Sequence, residues 1–491
     1  MSGTYSERLS GLTKAKPKMA TDIPASITTP DSFETRLGTL KFFDGFPDDA
    51  TVQMVYDNLD FQRAVQAFLT ALPAASLHAI RTGVRTFGPD NQTVLITEPL
   101  LDSRSLVIVA NTETVYNFAW LSTTDSPLVI EVPSDVLGFI NDFWGRYVTD
   151  VGRAGPDQGK GGKFLLLPPG YADAVPEGYF VVRSLTYGNL MFFRGFAVGG
   201  HLAEAVENSI GHFRIYPLAQ VVNPPVMSFV NISGEYFNTI LANDASFFEH
   251  VAQVVRDEPL DAVDPVTRGL LAAIGIRKDR PFAPDARMRR LLVEAAAVGN
   301  ATARTLLFNT RDQDVYYYPD SAWKMPFIGN DPFFSPGGVY NLDAQARYFY
   351  GSWGISPAMA WKKVGIGSQY TYAEHDADGQ YLDGAKAYRL HLPPNIPAKD
   401  FWSVIVYDPQ ARTMLQTDQQ FPSAGSQSEN LIRNADGSVD LHFGPEPPAG
   451  KEANWIQTLP GKGWFVMLRL YGPVQPWFDQ TWRPGEIEMV D

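Results

Sequence analysis

Chemistry-bearing side chains crowd one short stretch, Asn111-Thr112-Glu113-Thr114-Val115-Tyr116, which brings together an amide, hydroxyls, a carboxylate and a phenol. It follows an apolar run, Ser105–Ala110, that reads as a strand. Polar groups at the end of a buried strand often face a cleft, with their geometry held by the strand. Glu113 is suited to act as a general base or ligand and Tyr116 as a hydrogen-bond donor or acid, with Asn111 and Thr114 as ligand contacts. The alternative is a polar turn whose side chains cap their own backbone, although a phenol and a carboxylate exceed what a turn needs.

Three arginines lie among apolar neighbours: Arg183 in VVRS, Arg194 in FFRG and Arg469 in MLRLY. A guanidinium in a core needs an anionic partner, from the protein or from a ligand. Anion recognition therefore competes with a structural ion pair, or with a stem that carries its charge out to water. Arg183 and Arg469 join the candidate ligand contacts. Trp144, Tyr147, Tyr350, Trp353, Trp402 and Trp455 could wall a pocket for a sugar or an apolar ligand, or anchor cores and interfaces. Trp144, Trp402 and Trp455 are kept as binding candidates.

Other patterns are weaker. Glu374, Asp376, Asp378 and Asp383 offer hard oxygen ligands, so calcium is a minor candidate, but the run lacks the downstream Glu of an EF-hand and an Asp-Gly hairpin turn explains it more simply. The histidines His78, His201, His212, His250, His375, His391 and His442 form no His-x-His or His-x-x-x-His pair, so no local metal motif is expected. GPDQGKGGK at Gly155–Lys163 is one residue too short for a phosphate loop and lacks Ser or Thr after Lys160. Neither a Gly-x-Ser-x-Gly elbow nor a strand-turn-helix Gly-x-Gly-x-x-Gly is present, and no cofactor is evident.

The elements that must position these groups alternate in kind. Apolar spacing over Thr51–Leu72 predicts a helix ending at Pro73. Short apolar runs broken by turn residues then predict strands at Thr93–Thr97, Ser105–Ala110, Leu128–Val132, Lys163–Leu167, Tyr179–Arg183 and Leu190–Phe193. Three capped helices follow within Ser246–Gly299. The first is opened by a Ser246/Glu249 capping box, the second by Asp264-Pro265, and the third by Asp285. Phe401–Tyr407 and Trp464–Tyr471 are the strongest later strands. In the second, Trp464, Val466, Leu468 and Leu470 share one face and Phe465, Met467, Arg469 and Tyr471 the other, so it should be interior.

Composition narrows the class. The chain has 491 residues and a net charge of −14, which argues against a nucleic-acid partner. It contains no cysteine, so thiol catalysis, disulfides and iron–sulfur clusters are excluded. No uninterrupted apolar run of roughly 18 residues occurs, so no membrane partner is expected. The N-terminal residues lack a secretory pattern and suggest a cytoplasmic location, with a periplasmic or secreted form left open.

Two regions carry a family resemblance. Asn111–Tyr116 is a variant of an Asn-Asp-Thr-Leu-Tyr signature, followed by the Leu128–Pro133 strand, a Gly-rich turn near Gly159–Gly162, and IGIRKDRPFAPD at Ile274–Asp285. Asp376–Asp408, NADGS at Asn434–Ser438, Asn454-Trp455, RLYGP at Arg469–Pro473 and the Trp482–Pro484 end form the second series. The chain resembles the bacterial proteins that join a domain of unknown function 1254 to a domain of unknown function 1214. It departs from them in the displaced acidic residue of the first signature, in Asn454–Pro460, and in Gln420-Phe421, which replaces an Arg-Tyr. The resemblance implies a mostly β protein with a jelly-roll-like C-terminal sandwich and an oligomeric state.

The expected fold is α+β, mainly β: two β-sandwich or jelly-roll-like domains joined by a helical block. The expected organisation is a polar arm over 1–36, a β-rich domain with a leading helix over 37–240, a helical connector over 241–313 and a sandwich over 314–491. The expected function is a hydrolase-type enzyme acting on a small organic or glycan-like substrate through Glu113 and Tyr116. The alternatives are a non-catalytic small-molecule-binding protein and a structural homo-oligomer.

Overall fold

The structure is a computed structural model and describes residues 18–196 and 201–490. Residues 1–17 of the expected arm, and Gly199 and Gly200 ahead of His201, lie outside the described residues. Strands β1 (Ser32–Thr35), β2 (Gly38–Phe43) and β3 (Phe46–Pro47) form a small antiparallel sheet, and β1 pairs with β2 across the boundary expected between 36 and 37. Helix α1 (Asp49–Thr70) starts where the Asp48 carboxylate accepts the Thr51 amide at 2.7 Å. Pro73 does not end the helical region. It stands in the first turn of α2 (Leu72–Arg85), where a missing N–H costs nothing.

Ten strands follow among the described residues: β4 (Thr93–Ile96), β5 (Thr114–Ser122), β6 (Leu128–Val132), β7 (Val136–Asp142), β8 (Tyr147–Gly152), β9 (Gly162–Leu167), β10 (Phe180–Arg183), β11 (Gly188–Phe196), β12 (Arg214–Pro217) and β13 (Ser228–Asn231), with α3 (Leu202–His212) between β11 and β12. They build one sheet of order β13-β4-β5-β11-β7-β8 and a second of order β10-β9-β6-β12. Strand alternation gives the first sheet two buried faces. Ala119, Leu121, Met191 and Phe193 meet Ile130, Phe164 and Leu166 of the second sheet, while Tyr116, Phe118, Trp120 and Phe192 face the centre of the molecule.

Ser105–Ala110 is not the expected strand. It is an irregular buried segment whose backbone partners come from different places: the Leu106 amide donates to Phe237, and the Val109 amide to Arg412. With no single neighbouring strand, no ladder forms.

The helices α4 (Ser246–Asp257), α5 (Pro265–Ala273) and α6 (Ala286–Phe308) come next, then α7 (Leu342–Gly351). Asp264 and Asp285 cap as expected. Ser246 does not: it donates its amide and hydroxyl to Asp244 instead. Helix α6 also runs past Gly299, because that glycine is a contact and not a stop. A Cβ there would lie 2.6 Å from the Phe68 ring of α1.

The C-terminal strands are β14 (Ser368–Ala373), β15 (Ala387–Leu392), β16 (Ala398–Tyr407), β17 (Ser423–Gly425), β18 (Val439–Gly444), β19 (Trp455–Gln457), β20 (Phe465–Pro473) and β21 (Ile487–Val490), with the single turn α8 (Gln475–Phe478) before the last. Two sheets, β14-β20-β16-β17 and β19-β18-β15-β21, share a core of Val404, Val406, Leu441, Phe443, Val466 and Leu468. Strand β20 is buried along its whole length, as its sequence predicts. Trp464, Val466, Leu468 and Leu470 fill that core, while Phe465 and Met467 join Phe192 and Tyr116 at the centre of the molecule. The chain is thus mixed α+β, with two sheet pairs whose central sheets meet across a helix-bounded middle.

Candidate functional site

Register places a tyrosine opposite an arginine on each of the two central sheets. Tyr116 of β5 pairs with Arg194 of β11, and Tyr370 of β14 pairs with Arg469 of β20. Each pair points to the middle of the molecule, because each lies on the same strand face as Phe192 or Met467. The two pairs meet there. Arg194 Nη2 is 3.5 Å from the Tyr370 hydroxyl, and the Arg469 guanidinium lies 4.9 Å from the centre of the Tyr370 ring.

The Asn111–Tyr116 segment enters β5 from a loop and packs against this cluster. The Asn111 amide nitrogen donates to the Tyr116 hydroxyl at 3.1 Å, and its side chain donates to the Thr114 and Tyr471 hydroxyls at 3.0 and 2.6 Å. The Asn111 side-chain oxygen accepts the Glu113 and Thr114 amides. The self-capping turn is therefore formed, and it is also bonded to the C-terminal half. Glu113 accepts from the Thr112 hydroxyl at 2.5 Å, and Thr112 is 2.9 Å from the Ser423 hydroxyl. Burial pushes the Glu113 carboxyl above its ordinary range, against the pull of Thr112 and the nearby Arg469 charge. Burial likewise raises the Tyr116 phenol.

The arginines differ in how well they are satisfied. Arg469 donates to Val109 O at 2.9 Å, to the Tyr407 hydroxyl at 3.0 Å and to the Tyr471 hydroxyl at 3.2 Å. Arg194 is 4% exposed, yet its Nε and Nη1 have no hydrogen-bond partner among the described residues. Arg347 of α7 is held by Pro326 O, Met325 O and the Tyr372 hydroxyl, with Nε left over. Among the described residues, none of the three has a carboxylate within the 4.0 Å of a salt bridge. All three line one cavity of about 60 Å³ with Tyr116, Tyr370, Tyr372, Phe139, Phe192 and Trp353. The cavity is apolar and aromatic in its walls and cationic in its polar groups.

Glu113 and Tyr116 do not open onto the same space. Tyr116 lines the cavity, whereas Glu113 lines a neighbouring polar cleft with Thr112, Gln420, Phe421 and Ser423. Gln420 and Phe421, the departures noted in the sequence, thus sit beside Glu113. Arg469 lies together with Asn111, Glu113, Thr114 and Tyr116, and the remaining candidates lie elsewhere. Arg183 is exposed at the sheet edge and donates to Tyr171 O, since β10 has a neighbour on one side only. Trp402 is core of the C-terminal sheet pair, and Trp455 is tied to Gly444 O at 2.9 Å. Trp144 lines a separate cleft with Glu258 and Leu271. The Asp376 carboxylate accepts the Asp378 and Gln380 amides, which is the hairpin-turn geometry.

Three contributors escaped the sequence reading: Tyr370, Arg347 and Tyr471. Each left a signal. Tyr370 and Tyr372 alternate in SQYTYA, Arg347 stands among aromatics in ARYFY, and Tyr471 shares the Arg469 face of its strand.

Residues 91–217 match the family described as a protein of unknown function, DUF1254, and residues 367–475 match the one described as a protein of unknown function, DUF1214. Asn111–Tyr116 falls in the first match, and Tyr370, Gln420 and Arg469 in the second, so the cavity joins the two. No curated protein matches the chain. Among solved structures, the VPA0106 protein from Vibrio parahaemolyticus is similar at 18% identity and a TM-score of 0.54, over 88% of this chain and 100% of that one. A putative uncharacterized protein from Burkholderia cenocepacia is 13% identical with a TM-score of 0.40, over 90% of this chain and 97% of that one. The first supports the shared fold.

Proposed function

We propose that this chain, which combines DUF1254 and DUF1214 segments, holds a small organic anion with an apolar or aromatic body in the cavity between its central sheets. The observation that carries this reading is Arg194: a buried guanidinium with N–H donors unpartnered, and no carboxylate in ion-pair reach, among the described residues, in a cavity of aromatic walls. A buried charge is costly unless it is paired, and a ligand oxyanion is the partner that chemistry supplies. Phe139, Phe192 and Trp353 suit the apolar body. The test is titration calorimetry with hexanoate against hexanol. Saturable binding of hexanoate only is expected, and equal binding of both, or of neither, defeats the reading.

A hydrolytic role gains support from one further observation. Ser423, Thr112 and Glu113 form a line of hydrogen bonds at the polar cleft, so Glu113 can draw a proton through Thr112 from Ser423 or from water. Ester panels that carry a carboxylate would supply the assay. Glu113→Gln is expected to lower turnover by on the order of 10²–10⁴-fold with hexanoate affinity kept. A variant as active as the parent would leave binding as the whole role.

A further inference from the structure

Two guanidiniums, Arg194 and Arg469, converge on one phenol. Tyr370 is buried, its hydroxyl is within 3.5 Å of Arg194 Nη2, and its ring lies beneath Arg469. The groups that face it are Tyr116 of β5, Arg194 of β11, Arg469 and Tyr471 of β20 and Tyr348 of α7, with Tyr372 next along its own strand and Arg347 beyond it. Two carboxylates act on this set among the described residues: Glu113, through Arg469 and Tyr471, and Glu374, which reaches only Tyr372 and is itself paired with Lys324. An ionised Glu113 balances one of the two converging positive charges, which leaves room for a second negative charge at the Arg194 end.

We infer that Tyr370 supplies that charge when the cavity is empty and gives it up when an anion binds, so that ligand binding takes up a proton at the Tyr370 oxygen. This rests on the anion reading of the cavity. The exchange balances: the phenolate gains a proton from solvent, the ligand brings one negative charge, and the charge facing Arg194 and Arg469 is conserved. The neutral phenol then donates its O–H to the bound oxyanion. Electrostatics agree in direction. Burial alone would raise the Tyr370 phenol, but Arg194 and Arg469 bring it below its ordinary value. The phenols of Tyr116, Tyr348, Tyr372, Tyr407 and Tyr471 are all raised, foremost by burial. Tyr370 is therefore set apart from its neighbours.

Two measurements test this on the full chain. The first is a titration of the tyrosinate absorption band. One tyrosine should ionise ahead of the rest in the parent protein and be missing in Tyr370→Phe, which keeps the ring and its packing. Identical curves for the two overturn the inference whether or not any anion binds. The second needs no variant: hexanoate binding is followed by calorimetry in alkaline buffers of different ionisation heats. Uptake approaching one proton per hexanoate, and falling away as the pH is lowered, is expected. Hexanoate binding with no proton uptake overturns the Tyr370 exchange and spares the anion site. Absence of hexanoate binding beside an early-titrating Tyr370 defeats the anion site and keeps the phenolate.

Discussion

Arg194→Met is expected to weaken hexanoate binding by on the order of 10²–10³-fold and, at a pH low enough to keep the Tyr370 phenol neutral, to stabilise the fold by about 1–4 kcal/mol. The two effects have one origin. Arg194 is buried on β11, with Nε and Nη1 unpartnered and no carboxylate in reach among the described residues. Its desolvation is a cost to the empty protein, which an apolar side chain of similar volume relieves. Tyr116, Phe192 and Tyr370 remain to pack against the methionine. The bound anion, in contrast, loses charge-assisted hydrogen bonds that nothing replaces. Calorimetry with hexanoate and urea denaturation of parent and variant read both effects. A variant that binds normally, or that is several kcal/mol less stable, would show that Arg194 is a structural residue.

Arg469→Met should act with the opposite sign on stability, with a loss of about 3–5 kcal/mol. Arg469 lies just as deep, but it is satisfied. It donates to Val109 O, Tyr407 and Tyr471, and so ties β20 to the irregular segment ahead of β5. Removing it strands the Val109 carbonyl without its donor and leaves Glu113 without the positive charge that opposes its desolvation. Urea denaturation checks the magnitude. A second consequence distinguishes this from simple loss of packing: Glu113 should become harder to ionise, so the variant's deficit should shrink as the pH falls and Glu113 protonates. A pH-independent deficit would remove Glu113 from the account. The two arginines share a residue type, a burial and a cavity, and differ in whether the protein has already used their hydrogen bonds and in the Glu113 charge near Arg469.

Much of this was legible in the chain. The alternation from Trp464 to Tyr471 assigned β20 two buried faces, and the structure supplies the reason: one face belongs to the C-terminal core and the other to the middle of the molecule. The Asp264 and Asp285 caps were readable because a cap depends on residues two or three positions apart. The errors have a common cause. Ser246 looked like a cap, but Asp244 lay closer and took its hydroxyl; Gly299 looked like a helix end, but Phe68 of a distant helix needed its missing side chain. Ser105–Ala110 had strand composition and found no strand to pair with.

The site divides along the same line. Residue type and local order determined that Asn111, Glu113 and Tyr116 would be held close together, but they offered Arg183, Arg194 and Arg469 alike as arginines among apolar side chains, and Arg183 is exposed. Those are effects of neighbours along the chain and of strand alternation. Only tertiary structure could set Tyr116 opposite Arg194 and Tyr370 opposite Arg469, because register is fixed by which strands become neighbours. Only tertiary structure could decide which guanidinium was spent and which was left free. That balance is struck by carbonyls and phenols from segments more than two hundred residues apart, such as Val109 and Arg469. The one left with unpartnered donors, Arg194, is where we propose that an anion binds.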